Sequence, residues 1–195
     1  MSAIISTHND ETRLALPIGK VAAVSLDAAH RFSKLPVEVI RLVAGYGVDG
    51  DAHAGLHVQH RSLAKRQPEL PNARQVHLIP IELFADLLSS GYTVAAGQLG
   101  ENITSSGLEL ENLPLGTWLR IGADAVVELT GIRTPCGLID RFQKGLRRDL
   151  FSAKTNGARF RCGVFGVVTV GGQVLRGDSI VTELPDEPWS HLPEL

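Results

Sequence analysis

Short apolar runs punctuated by glycine turns recur along the whole chain, and they leave little room for long helices. Runs of roughly four to eight apolar or β-branched residues bounded by Gly, Asn or Asp read as strands. Residues 21–26, 37–43, 75–79, 118–121, 125–129, 163–170 and 179–184 fit that description, and the shorter 102–104 and 174–175 read as strands beside them. The almost wholly apolar 163–170 predicts a strand buried on both faces. Gly122-Ala123-Asp124 predicts a hairpin, and Gly171-Gly172 turns the chain toward Val174 and Leu175. One clear amphipathic helix interrupts the strands: Pro80 is its first position, Gly91 its stop, and Ile81, Phe84, Ala85 and Leu88 its buried stripe. Twenty glycines and an aromatic content of 5% suit many tight turns. The expected fold is mainly β, a barrel with a few inserted helices.

At 195 residues the chain predicts one domain over 21–184, with a polar leader and first-strand approach at 1–20 and a departing tail at 185–195. The polar stretch 56–72, with Pro68 and Pro71, predicts a long excursion inside that domain. A formal net charge of −2 gives no bulk attraction to nucleic acid or to anionic membranes. No apolar stretch is long enough to span a bilayer, and the opening MSAIISTHNDETRL lacks the pattern of a secretory signal. With only two cysteines, Cys136 and Cys162, the reading is a reducing cytoplasm rather than a disulfide framework, although a bridge between them stays open. The absence of a P-loop or a GxGxxG fingerprint leaves ATP and NAD binding without support.

Four stretches hold residues capable of chemistry. The first is TGIRTPCG, residues 130–137, followed by a helical pattern of Leu138, Ile139, Phe142 and Leu146. Helix-start rules make Thr134 the N-cap, Pro135 the first helical residue and Cys136 the second. Free first-turn amides and Arg133 would then favour a thiolate, able to attack an electrophile, carry sulfur or ligate a soft metal. The plain alternative is a small buried hydrophobe, and for Cys162 at the entrance of 163–170 that reading leads. The second is a basic stretch with Lys144, Arg147, Arg148, Lys154, Arg159 and Arg161, either a solvated face or a cradle for a phosphate-sized anion. The third is GVDGDAHAGLHVQH, where Asp49, Asp51, His53, His57 and His60 crowd together. Its glycines argue for a tight turn with Asp51 and His53 near a site mouth, rather than a helical zinc site. The fourth is GQLGENIT, a turn presenting Asn102 and Thr104.

Taken in order, GVDGDAHAG, RQVHLIP, GQLGENIT, LPLGTWLRIG, TGIRTPCG and GVFGVVTVGGQVLRGD resemble the MOSC domain, named for the C-terminal domain of molybdenum cofactor sulfurases. The likeness runs from about Val21 to Leu184 and is to the short stand-alone bacterial type, without the pyridoxal-phosphate-binding half of the full sulfurases. It implies a MOSC-type β-barrel and makes Cys136 the family's site cysteine, carrying a persulfide or ligating molybdenum of the molybdopterin cofactor. Arg133, Arg159 and Arg161 would then cradle the pterin phosphate, while Asn102 and Thr104 would bond the pterin edge. The implied activity is reduction of N-hydroxylated or N-oxygenated small molecules, with electrons from a partner protein. The alternative is a sulfur carrier that passes a Cys136 persulfide onward after loading by a cysteine desulfurase.

Overall fold

The computed structural model describes residues 17–151 and 160–195. Its elements run β1 (Gly19–Leu26), β2 (Leu35–Val37), β3 (Val39–Val43), β4 (Gly47–Val48), α1 (Arg61–Ala64), β5 (Val76–Pro80), α2 (Glu82–Ser89) and β6 (Ile103–Ser106). After a short 3-10 turn at Leu110–Asn112 come β7 (Trp118–Ile121), β8 (Ala125–Ile132), α3 (Leu138–Phe142), α4 (Leu146–Asp149), β9 (Val164–Val170), β10 (Gly172–Leu175) and β11 (Ser179–Glu183).

Seven strands close into a barrel in the order β1-β11-β7-β8-β9-β5-β6, with β6 pairing back onto β1. The fold is therefore mainly β, as the turn spacing predicts. The β7–β8 hairpin forms around Gly122, with Ile121 opposite Ala125 and Trp118 opposite Glu128. The pairing of β5 with β6 is parallel, Leu78 lying opposite Ile103. Parallel neighbours need a crossover, and α2 supplies it, which explains the amphipathic helix at this point of the sequence. Strand β2 extends the sheet beside β1, and β10, β3 and β4 make a separate three-stranded sheet.

Two apolar clusters result. Val76 and Leu78 point from β5 into the barrel, where they meet Leu129, Val164 and Val168. From the same strand Ile79 joins Leu83, Phe84 and Leu87 of α2, together with Ile139, Leu146, Leu150 and Cys162. Strand β5 is buried along its whole length because it has the barrel on one side and a helical layer on the other. A cleft opens beside that layer.

Several expectations are corrected. Pro80 ends β5, and α2 begins at Glu82; Gly91, at φ +90°, does stop it. The buried stripe of α2 is Leu83, Phe84 and Leu87, whereas Leu88 is 62% exposed. Ile81 and Ala85 face outward too. The predicted strand 37–43 is split at Glu38 into β2 and β3, which belong to different sheets. Strand β9 alternates: Val164, Gly166 and Val168 are buried, but Phe165 and Val167 are half-buried and Val170 is exposed. After Gly171 the chain leaves the barrel to pair β10 with β3. The segment after Pro185 does not depart but lies back on the fold, with bridges from His191 to Pro114 and Glu194 to Ile132, and Leu192 buried in the barrel cluster. Among the described residues no helix is long and apolar enough to cross a membrane.

Gly163 is the tightest glycine contact where β9 enters. Its φ is +80°, and a Cβ there would stand 2.1 Å from the Leu78 carbonyl oxygen and 3.1 Å from His77 Nε2. Only glycine lets β9 approach β5 so closely. Gly163→Ala is therefore expected to cost about 2–4 kcal/mol of stability, from backbone strain together with the steric overlap. Chemical denaturation of the two proteins checks this; an unchanged midpoint would contradict it.

Candidate functional site

A cleft of about 170 Å³ opens at the rim of the barrel. The loop after β1 contributes Arg31, Phe32 and Lys34, and the glycine-rich loop after β4 contributes His53, Gln59 and His60. Asn72 and Arg74 enter just before β5, His77 comes from β5 itself, and Gly100 and Asn102 from the turn before β6. Arg133, Thr134 and Cys136 follow β8, with Phe165 of β9 beside them. No Asp or Glu lines the cleft among the described residues.

The walls are held together from beneath by Asp51, whose side chain is 1% exposed. Its Oδ2 accepts hydrogen bonds from the Lys34 ammonium, from Asn102 Nδ2 at 3.1 Å and from the Asp27 backbone N–H at 3.2 Å. Its Oδ1 accepts the His53 backbone N–H at 2.9 Å and lies 3.3 Å from His53 Nδ1. Burial raises the pKa of this carboxyl, but the bonds from His53 and the Lys34 charge outweigh burial and hold it well below the usual carboxylate range. Lys34 is itself buried, and that desolvation lowers its pKa against the pull of Asp51. Sequence reasoning placed Asp51 at the mouth of a site; it lies under the floor, and its neighbour His53 is the one in the cleft.

Asn102 is equally committed. Its Oδ1 accepts the His77 backbone N–H at 3.2 Å, and its Nδ2 donates to the Ser25 carbonyl as well as to Asp51. Asn102 thus shapes the wall and has little left to offer a ligand. Glu101 fixes the same turn: its Oε1 accepts the Gly97 backbone N–H at 2.5 Å and the Thr104 hydroxyl at 3.1 Å. Burial pushes the Glu101 carboxyl up, and its Oε2 has no partner among the described residues. Thr104 is buried on Glu101 and does not reach the cleft.

Arg133 donates to the Leu99 carbonyl and lies 6.0 Å from the Phe32 ring centroid. Arg74 stacks 5.5 Å over Phe165, and Asn72 Oδ1 fixes its backbone N–H at 3.0 Å. Neither guanidinium is paired with a carboxylate among the described residues. Burial lowers the pKa values of Arg74, His60 and His77, and the Arg133 charge pushes each further in the same direction. A pocket that disfavours added positive charge at three neighbours favours an anion. His77 is wholly enclosed, with its Nε2 3.0 Å from the Cys162 carbonyl. Lys34, Arg74 and His77 were missed in the sequence as site residues. The last two sit inside the RQVHLIP motif, while Lys34 belongs to no motif.

The two cysteines differ. Cys162 is buried in the second apolar cluster, and burial pushes its thiol up to about 11. Cys136 is half-buried and faces the cleft; both thiols are free. The predicted helix start is corrected: Gly137 is the N-cap and Leu138 the first residue of α3, so Cys136 precedes the helix. The single helix expected after Cys136 is broken into α3 and α4 by the extended Gln143 and by Gly145 at φ +89°. Among the described residues of the basic stretch, none lines the cleft. Arg161 pairs with Asp86 of α2, and Arg147 donates to the Pro135 carbonyl at 3.0 Å. Arg159 and Lys154 lie outside the described residues. Of the three clustered histidines, His53 and His60 line the cleft, while His57 faces Glu69 at 3.7 Å. Among the described residues no group of three His, Cys, Asp or Glu side chains is arranged to hold a metal ion.

Comparison with known proteins adds to this geometry. The sequence model of a family described as the MOSC domain matches residues 49–181, well over half of the chain. The crystal structure of the YuaD protein from Bacillus subtilis superposes with a TM-score of 0.68 at 22% identity, covering 87% of this chain and 97% of that one. YiiM from Geobacillus stearothermophilus gives a TM-score of 0.59 at 18% identity, covering 85% of this chain and 75% of that one. YiiM from Escherichia coli gives 0.58 at 16%, covering 88% and 73%. At these identities the likeness is one of fold. No curated protein matches the sequence.

Two outcomes follow from the site. Asp51→Asn leaves the Lys34 charge buried without its partner, and is expected to cost about 3 kcal/mol or more. Because the folded pKa of Asp51 lies below its unfolded value, the native carboxylate contributes stability above about pH 4 and loses it as the pH falls toward the folded pKa. Denaturation between neutral and acid pH should show that loss in the native protein and a shallower one in the variant. Separately, iodoacetamide at neutral pH should modify Cys136 and spare Cys162 until the protein unfolds, as peptide mass spectrometry would report.

Proposed function

The chain belongs to the MOSC domain family, and we propose that its cleft receives a molybdenum–pterin cofactor, with Cys136 as the protein's ligand to molybdenum and a small N-oxygenated compound as substrate. The observation that carries this reading is a half-buried thiol sharing with two guanidinium groups a cleft that no Asp or Glu lines among the described residues. The donor chemistry suits the group. A thiolate is a soft ligand fit for molybdenum. Guanidinium groups recognise phosphate through paired N–H donors, and here Arg74 and Arg133 would hold it. When bound, the cofactor supplies two-electron oxygen-atom transfer, which no side chain can perform.

The chain's own residues do the rest. Arg133 is pinned by the Leu99 carbonyl, and Arg74 by stacking on Phe165, so both cations hold their orientation before any anion arrives. Reduction of an N–O bond consumes two electrons and two protons and releases water. His53 is the proton donor we assign: Asp51 accepts from Nδ1, and the imidazolium form carries the second proton, on Nε2, that is transferred. Electrons come from a partner protein, since no other redox group is encoded in the motifs of this chain.

Protein expressed in a host that makes the cofactor should contain molybdenum in proportion to chain, and Cys136→Ser should lose most of it, read by elemental analysis. Equal metal in both would overturn the ligand assignment. The same thiol would serve a sulfur carrier; a gain of about 32 Da at Cys136 after treatment with a cysteine desulfurase and cysteine, with no molybdenum bound, would favour that role instead.

A further inference from the structure

A second opening adjoins the cleft. It is a groove of about 480 Å³ between the loop after β1 and α3, and it shares Arg31, Phe32 and Leu138 with the cleft wall. Its apolar lining is built from four side chains. Phe32 and Phe142 place their ring centroids 5.7 Å apart, and Leu35 and Leu138 are 63% and 44% exposed. Singly exposed leucines need no explanation, but a concave cluster beside a polar site does.

The charges around it are unequal. Asp27 and Arg31 neutralise each other, with Arg31 Nε 2.8 Å from Asp27 Oδ2. Arg141 remains at the rim, exposed, on the last turn of α3, and no carboxylate is paired with it among the described residues. The groove therefore presents an apolar floor with one uncompensated positive charge. Volume decides how the two openings divide their work. Sites that enclose drug-sized ligands are roughly 300–1,000 Å³, so the 170 Å³ cleft encloses only the reacting ends of a cofactor and a substrate, and the rest of each lies outside it.

We propose that the groove seats the body of the substrate, a flat apolar group carrying a single negative charge that Arg141 recognises, while the reacting end passes Leu138 into the cleft. This rests on Cys136 marking the reaction centre, and it narrows the substrate class to aryl or similarly flat monoanions. Leu138 stands two residues beyond Cys136, so it forms the boundary between the polar cleft and the apolar groove. Phe32 is shared in the same way: Arg133 approaches its ring from the cleft side, and Phe142 packs against it in the groove.

The test needs no metal, so it fails or succeeds independently of the molybdenum assignment. Titration calorimetry on the purified chain should show 2-naphthoate binding tighter than neutral 2-naphthamide by roughly two- to fivefold, as suits one exposed charge. Arg141→Gln should abolish that preference while leaving naphthamide affinity unchanged, and added salt should narrow it. Leu138→Asp should weaken naphthoate by about tenfold or more, through lost apolar contact and like-charge repulsion. Leu35→Asp provides the same reading should the first variant fold poorly. No binding of naphthoate, equal affinity for the two probes, or naphthoate affinity unmoved in a folded Asp variant would overturn the proposal.

Discussion

One buried carboxylate organises the site. Asp51 gathers donors from Asp27, Lys34, His53 and Asn102, so the loop after β1, the loop after β4 and the turn before β6 are tied at a single point. Taking a carboxylate and an ammonium out of water is costly, and their attraction offsets that cost only when the remaining lone pairs are also satisfied. Here they are. The consequence is specificity of arrangement more than net stability: three irregular segments have one low-energy way to meet, and that way leaves a cleft between them.

The same ion pair sets the charge of the cleft. Lys34 is cancelled locally by Asp51, so its charge does not dominate the opening. What projects into the space is Arg133 and Arg74, each oriented by an aromatic ring or a carbonyl rather than by an acid. A guanidinium held this way keeps its attraction for anions, whereas one locked to a carboxylate, as Arg161 is to Asp86, has spent it. This distinction separates the arginines of the cleft from Arg161, which residue type does not.

The barrel was legible because its signals are local. Glycine turns and apolar runs report strands within a few residues, and the Ile121–Ala125 hairpin followed directly from Gly122. The α2 stripe was misread because apolar residues lie at both candidate phases, Ile81 with Leu88 and Leu83 with Leu87, and periodicity cannot choose between them. The choice is made by β5, which extends through Pro80 and delays the helix start. The shared cleft position of Cys136 and Arg133 was legible, because one motif carries both on a single connection. Lys34 was not, because its significance comes wholly from Asp51, 17 residues away in sequence and joined to it only by the fold. Arg161 illustrates the converse: its sequence neighbourhood suggests an anion cradle, but α2 brings Asp86 to it first.

The two cysteines show how a barrel of this kind makes one sulfur available and silences another. Cys162 sits where β9 enters beside β5, so the apolar layer closes over its side chain while its carbonyl is taken by His77. Cys136 lies on the connection out of β8, and that connection is braced at every step. Arg133 N–H bonds the Gly163 carbonyl, Thr134 N–H bonds the Leu195 carbonyl, the Pro135 carbonyl accepts from Arg147, and the Cys136 carbonyl accepts from Ile139. A loop so fully bonded has little freedom left, and the side chain it carries is held toward the cleft without help from a ligand. Rigid presentation is what a thiol needs in order to act as a fixed ligand or nucleophile, because the ordering is already complete before the partner arrives. Gly163 links the two cases. Its close approach to Leu78 seats β9 on β5, and the same residue's carbonyl anchors Arg133, so the contact that buries one cysteine also positions the loop that exposes the other.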